Sequence, residues 1–171
     1  MNHRAETGPT TYFATGALAD REVMTTLLGT TPTGHVMRVN DCALGLVTGE
    51  EINLHLRLDM FAPDYKTRVL VHRVGASVDG VLYNLTQEQF EAVRMYTGEG
   101  VVTQAVELPL GDHEVTGHAE AHFLKRGLVW TGIPREERDI FPNGREATLE
   151  AAKVTHQRWQ ESLHRHPGER R

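Results

Sequence analysis

The sequence predicts an α+β domain in which helices pack outside a curved mixed β-sheet or barrel. Segments with strand patterns outnumber those with helix patterns, and the two kinds are interleaved along the chain. The length of 171 residues corresponds to a single domain. A hydrophobic share of 39% and a charged share of 24% are ordinary for a globular chain, which excludes collagens, coiled-coil rods and wholly disordered proteins. We expect a polar arm over 1–9, one domain over 10–163 and a polar tail over 164–171.

The first elements are predicted to be a strand, a tight connection and a helix. Residues 10–14 are β-prone, and residues 15–18 follow as the connection. Asp20 is a suitable N-cap for a helix over 21–28, and Gly29 ends that helix because glycine tolerates the left-handed conformation found there.

The middle of the chain is predicted to be mostly strand. Residues 35–46 form one or two strands. Residues 52–60 alternate between apolar and polar side chains, a period of two that predicts a half-buried strand. Residues 69–71 and 78–85 are two further strands, with a turn at Gly75 between them.

A capping box, a hairpin and an amphipathic segment follow. Thr86 and Gln89 have the capping-box spacing, which predicts a helix that runs to about Tyr96. Residues 101–108 and 115–123 are predicted to pair as a hairpin, with Gly111 and Asp112 in its turn.

The last helix is predicted to begin near 143–146 and to bury one face. That apolar face contains His156, which we expect to be a packed, hydrogen-bonded histidine.

Charge and cysteine content limit the possible partners. The net charge of −5 disfavours a nucleic-acid binder that works through bulk charge. The sequence contains no apolar run of membrane-spanning length and no signal-peptide pattern, so we expect no membrane partner. The single cysteine, Cys42, fits a reducing compartment, and we therefore predict a cytoplasmic protein; the sequence leaves its oligomeric state open.

The first strand ends in a glycine turn that could bind an anion. A strand that leads through a tight turn into a helix presents backbone N–H groups, and Gly16 lets a ligand approach the main chain because it has no Cβ. The alternative is that Gly16 only permits the turn.

Two segments carry a family resemblance. Residues 12–18 read Tyr-Phe-Ala-Thr-Gly-Ala-Leu, and residues 78–86 read Val-Asp-Gly-Val-Leu-Tyr-Asn-Leu-Thr. In this order they resemble the opening strand with its glycine loop, and the later V-x-G-x-L-Y strand, of the γ-glutamylcyclotransferase-like family, which includes the AIG2-like proteins. The resemblance covers roughly residues 10–123.

The resemblance implies an enzyme without cofactor or metal that acts on a small-molecule substrate. In this family the α-amine of a γ-glutamyl compound attacks its own γ-carbonyl and releases 5-oxoproline. Thr15, Gly16, Ala17 and Leu18 stand where the family binds the γ-glutamyl group.

Three positions depart from the family pattern. Counted without gaps, Thr97 stands where the family has its catalytic glutamate, and a threonine hydroxyl is no general base near neutral pH. Glu99, two residues further on, is either the displaced acid/base or a solvated loop carboxylate. Thr15 and Phe123 replace two tyrosines of the family's pocket. The protein is therefore predicted to be either a cyclotransferase-like enzyme with altered chemistry or a catalytically silent binding protein of the same fold.

Two other groups of polar residues stand out in the sequence. His118, Glu120 and His122 alternate along one predicted strand, and we expect this row to face solvent rather than to bind a metal. Asp59, Asp64 and Tyr65 flank a predicted strand end near Pro63. They are predicted to belong to an ordinary polar loop, with the edge of a pocket as the alternative.

Overall fold

A curled half-barrel of five strands forms the centre of the protein. The computed structural model describes residues 9–57, 59, 61–98, 103–109, 118–124 and 141–165. The strands are β1 (Thr10–Ala14), β2 (Gly34–Thr48), β3 (Lys66–Leu85), β4 (Thr103–Pro109) and β5 (His118–Leu124), and the helices are α1 (Arg21–Leu28), α2 (Gly49–Leu56), α3 (Gln87–Thr97) and α4 (Arg145–His164). The predicted α+β class is confirmed.

The strand order explains the curl. The sheet runs β2-β3-β1-β5-β4, and β1 is antiparallel to β3 but parallel to β5. Beyond the end of β1, β3 also pairs directly with β5 at Leu70 and Phe123. Because β3 pairs with both β1 and β5, the sheet must bend around β1.

Local capping signals place two helices as predicted. Asp20 Oδ1 accepts hydrogen bonds from the backbone N–H groups of Glu22 and Val23, and Gly29 ends α1 with a φ of 74°. The Thr86–Gln89 capping box opens α3.

The final helix begins without a side-chain cap. Gly144 is its N-cap, and Asn143 instead hydrogen-bonds the backbone N–H and C=O of Lys66. This pair of bonds ties the start of α4 to the start of β3. His156 is packed as predicted, with Nδ1 2.8 Å from the backbone oxygen of Leu27.

The strand predicted over 52–60 is wrong. Most of this segment belongs to α2, which opens with a capping box between Thr48 and Glu51. The Asn53 side chain then hydrogen-bonds both backbone groups of Phe61 and fixes the chain that leaves the helix. The local capping bonds outweighed the period of two, and Leu54 of the predicted buried row is 82% exposed.

The turn predicted at Gly75 is also wrong. Residues 66–85 form one continuous strand that pairs with β2 along most of its length. Gly75 instead lies in a bulge of β3, where residues 73–76 stand opposite the single Asp41 of β2. Asp41 has a φ of 60° and accepts a hydrogen bond from the Gly75 N–H at 3.0 Å. The bulge bends a long two-stranded ribbon, and glycine is a common residue in such bulges.

The hairpin of β4 and β5 is confirmed as antiparallel, and its predicted turn at 111–112 lies outside the described residues. Apolar side chains fill both faces of the sheet. One core joins β1 to α1, α3 and α4, and a second lies inside the curl around Phe13 and Leu70. A third packs Ile52 of α2 against β2 and β3.

None of the helices in the described part of the chain is both long and apolar enough to cross a membrane.

Candidate functional site

A cleft of about 710 Å³ opens where the end of β1 meets the C-terminal end of α3 and the N-terminal half of α4. Its walls also include residues 61–62 and 64–69, which comprise the segment before β3 and the first residues of that strand, and His122 of β5. Five separate parts of the chain therefore converge on one cavity, which is the usual character of a small-molecule site.

The glycine turn forms one wall. Thr15, Ala17 and Leu18 line the cleft, and Gly16 lies between them with a φ of 61°, a conformation that favours glycine. A Cβ at Gly16 would meet Arg68 Cβ at 3.9 Å, which is ordinary contact. The requirement for glycine is therefore conformational rather than steric.

The end of α3 forms the opposite wall. Thr97 lines the cleft, and its hydroxyl donates to the backbone oxygen of Arg94 at 3.3 Å. Tyr96 also faces the cavity, and burial raises the pKa of its hydroxyl to about 12, so it is a neutral group there. The structure thus brings Thr97 and the glycine turn together. Glu99 lies outside the described residues, and its catalytic role stays a prediction.

The structure does not bring Phe123 to the cleft. Its ring is buried inside the curl and stacks on His72, with 4.4 Å between ring centroids. Side chains alternate across a strand, so the neighbouring residue, His122, faces the cleft instead. The residue of β5 that lines the cleft is therefore His122, one position before the predicted Phe123.

The row of His118, Glu120 and His122 is only partly solvated. His118 is exposed as predicted, but Glu120 and His122 are half-buried. One carboxylate oxygen of Glu120 is shielded from solvent without a hydrogen-bond partner among the described residues. The expectation of a solvent-facing row fails at His122 because β1 and α3 cover that end of the strand. Within the described residues, no group of three possible ligands is arranged to hold a metal ion.

His122 is held by two aromatic neighbours. Its Nδ1 lies 3.2 Å from the hydroxyl of Tyr12, and its ring is parallel to that of Phe90. Burial lowers the pKa of His122 to about 4, with a further contribution from the positive charge of Arg94. The imidazole is therefore neutral at pH 7.

The start of β3 and the residues just before it supply the charged groups of the cleft. Lys66 and Arg68 line the cleft, as does Asp64, and Arg68 is half-buried. Asp64 and Tyr65 thus lie at the edge of a pocket, the alternative that the sequence had left open. Sequence reasoning missed both cations, although their i, i+2 spacing at the start of a strand predicts a shared face.

Comparison with known proteins identifies the fold. No family model matches the sequence, and no curated protein matches it. Similar solved structures include a γ-glutamyl cyclotransferase, with a TM-score of 0.56, 12% identity and 94% of this chain and 90% of that chain covered. An uncharacterized protein from Homo sapiens has a TM-score of 0.52 and 10% identity, covering 96% of this chain and 92% of its own. The solution structure of a protein from Arabidopsis thaliana has a TM-score of 0.50 and 14% identity, and the match covers 95% of this chain and 93% of that chain.

The curled half-barrel with its cleft is therefore a γ-glutamylcyclotransferase-like fold. At 10–14% identity the likeness concerns the fold.

Proposed function

We propose that this protein is a γ-glutamylcyclotransferase-like enzyme that converts a small γ-glutamyl amide into 5-oxoproline and a free amine. One observation carries the proposal: the glycine turn, the two cations of β3 and the end of α3 line the same cleft of about 710 Å³. Such a cavity is large enough for a γ-glutamyl amide.

The walls of the cleft suit a substrate that carries a carboxylate. Lys66 and Arg68 lie on one wall, and Arg68 is half-buried, so its pairing with an anion is less weakened by water than at an open surface. Thr15 also lines the cleft. The substrate α-carboxylate would bind here, with the scissile amide directed toward the interior.

The reaction needs a group that removes protons from the attacking nitrogen. Thr97 occupies the position of the family's glutamate, and its hydroxyl cannot act as that base unaided. Glu99 is the acid/base in this proposal, because it follows Gly98, which lines the cleft at the end of α3.

The test is the release of 5-oxoproline from a panel of γ-glutamyl amides and γ-glutamyl dipeptides. Arg68→Gln should raise KM by roughly tenfold or more, because a hydrogen bond to a charged group contributes about 1.5–3 kcal/mol. Arg73→Gln is the matched control, since Arg73 lies on the same strand, is exposed and does not line the cleft. Equal KM values for the two variants would remove Arg68 from the binding site.

A second candidate function is a silent binding protein, and it is favoured by Thr97, which by the ungapped count stands where the family has its catalytic glutamate. That protein would release no 5-oxoproline from any member of the panel. It would nevertheless be stabilised by small carboxylate ligands, with a melting temperature that rises with ligand concentration. A thermal-shift titration with 5-oxoproline and glutamate, run beside the activity assay, separates the two functions.

A further inference from the structure

We propose that His122 is a further catalytic residue, a neutral imidazole whose Nε2–H donates a hydrogen bond to the substrate's γ-carbonyl oxygen as negative charge develops on it. Tyr12 is the positioning residue that selects this form of the ring. The inference rests on the proposed function, because it assigns a role within the same cleft.

The ring of His122 is fixed before any ligand arrives. Tyr12 is 3% exposed, and its hydroxyl lies 3.2 Å from Nδ1. The two ring centroids are 5.4 Å apart, and Phe90 lies parallel to the imidazole at 6.1 Å. Nδ1 is therefore occupied within the protein, and Nε2 is the ring nitrogen available to a ligand in the cleft that His122 lines.

The hydroxyl of Tyr12 decides which nitrogen carries the proton. A phenol is a stronger acid than a neutral imidazole N–H, so the favoured hydrogen bond runs from the Tyr12 O–H to an unprotonated Nδ1. Burial raises the pKa of Tyr12 above its usual range, so the hydroxyl keeps its proton and stays a donor. A neutral imidazole with an accepting Nδ1 carries its proton on Nε2.

The surroundings of His122 keep the ring uncharged. Among the described residues, the titratable groups that interact with His122 include Tyr12 from β1 and Arg94 from α3, and Glu120 lies two residues away on the same strand. Burial and the charge of Arg94 lower the pKa of His122, so the ring presents a neutral donor at pH 7. A preorganised donor at a developing oxyanion contributes roughly 100-fold to 1,000-fold in kcat.

The substrate amine forms a bond to the γ-carbonyl carbon, and the carbonyl electron pair moves to the oxygen that His122 contacts. The pair then returns, the bond to the leaving nitrogen breaks, and 5-oxoproline is formed. The acid/base carries two protons from the attacking nitrogen to the leaving nitrogen, which departs as an ammonium group. His122 neither gains nor loses a proton.

The experiment compares kcat and KM of the full-length protein with those of His122→Phe, His122→Gln and Tyr12→Phe. His122→Phe should lower kcat about 100-fold to 1,000-fold with little change in KM. His122→Gln retains an amide donor and should recover part of this loss. His118→Phe is the matched control, because His118 lies on the same face of β5 but is exposed and outside the cleft. Thermal unfolding of each variant verifies that it folds.

A spectroscopic measurement tests the tautomer independently of turnover. Nitrogen-15 spectra of histidine-labelled protein at pH 7 should show His122 protonated at Nε2, with the signal identified by its absence in His122→Phe. Tyr12→Phe should shift this population toward the other tautomer.

The activity measurements separate a failure of the role of His122 from a failure of the proposed function. If the wild type releases 5-oxoproline and His122→Phe has an unchanged kcat, the role of His122 is overturned while the proposed function stands. An Nδ1–H tautomer in the wild type also overturns it. If the wild type releases no 5-oxoproline from any γ-glutamyl compound, the proposed function fails and this inference fails with it.

Discussion

Acidification should destabilise the folded protein through His122. Its pKa is about 4 in the folded state, against an ordinary value of 6.5 that applies to the unfolded chain. Between these two values the unfolded state binds more protons than the folded state, so stability rises with pH. The stability associated with neutral His122 is thus fully present above pH 6.5 and is lost as the pH falls toward 4.

The expected magnitude follows from the two pKa values. A difference of about 2.5 in pKa corresponds to about 3.4 kcal/mol in the free energy of unfolding once the pH is below both values. Over the range from pH 7 to pH 5, the same relation gives about 2 kcal/mol. Because the ring is half-buried rather than enclosed, this value is an upper limit.

The assay is urea unfolding of the wild type, His122→Gln and His118→Gln at pH 7 and at pH 5. The wild type and His118→Gln should each lose about 2 kcal/mol more between the two pH values than His122→Gln loses. Taking this difference cancels the contributions of the other titrating groups. The same pH dependence in the wild type and in His122→Gln would refute the reasoning.

Three further predictions concern the acid/base, the glycine turn and the cap of α2. Glu99→Gln should slow 5-oxoproline release about 100-fold, the usual contribution of an acid/base, and an unchanged kcat would remove Glu99 from the mechanism. Gly16→Ala should reduce the free energy of unfolding by about 1–2 kcal/mol, because alanine is strained at a φ of 61°. Its new Cβ meets only Arg68 Cβ at 3.9 Å, so a much larger loss in urea unfolding would contradict a purely conformational cause. Thr48→Ala removes the capping box of α2 and should lower stability by about 1 kcal/mol. Thr33→Ala, at an exposed position before β2, is its control, and equal stabilities would show that the cap contributes nothing.

Elements whose signals are local could be predicted from the sequence. Asp20 and Gly29 bound α1 because capping bonds and a left-handed residue act within a few positions of the chain. The same applies to the Thr86 capping box of α3. Segment 52–60 shows the limit of this reasoning, because its period of two was outweighed by a cap at Thr48 and by the bonds between Asn53 and Phe61.

The candidate site was predictable only in part. The glycine turn and Thr97 could be found because each belongs to a recognisable motif, and the structure brings both to one cleft. Lys66 and Arg68 have no motif, and they become site residues only because the start of β3 passes beside the glycine turn at Gly16.

The sequence by itself determined the α+β class, the alternation of side chains along β5 and the helix ends that capping fixes. The tertiary structure decided which of those side chains are buried and which line the cleft. His118 and His122 share one face of β5, yet one is in solvent and the other lines the cleft, because β1 and α3 cover only one end of the strand. Phe123 lies outside the cleft for a different reason, because neighbouring side chains of a strand point to opposite faces of the sheet. Periodicity specifies which residues lie together, whereas burial depends on contacts between distant parts of the chain.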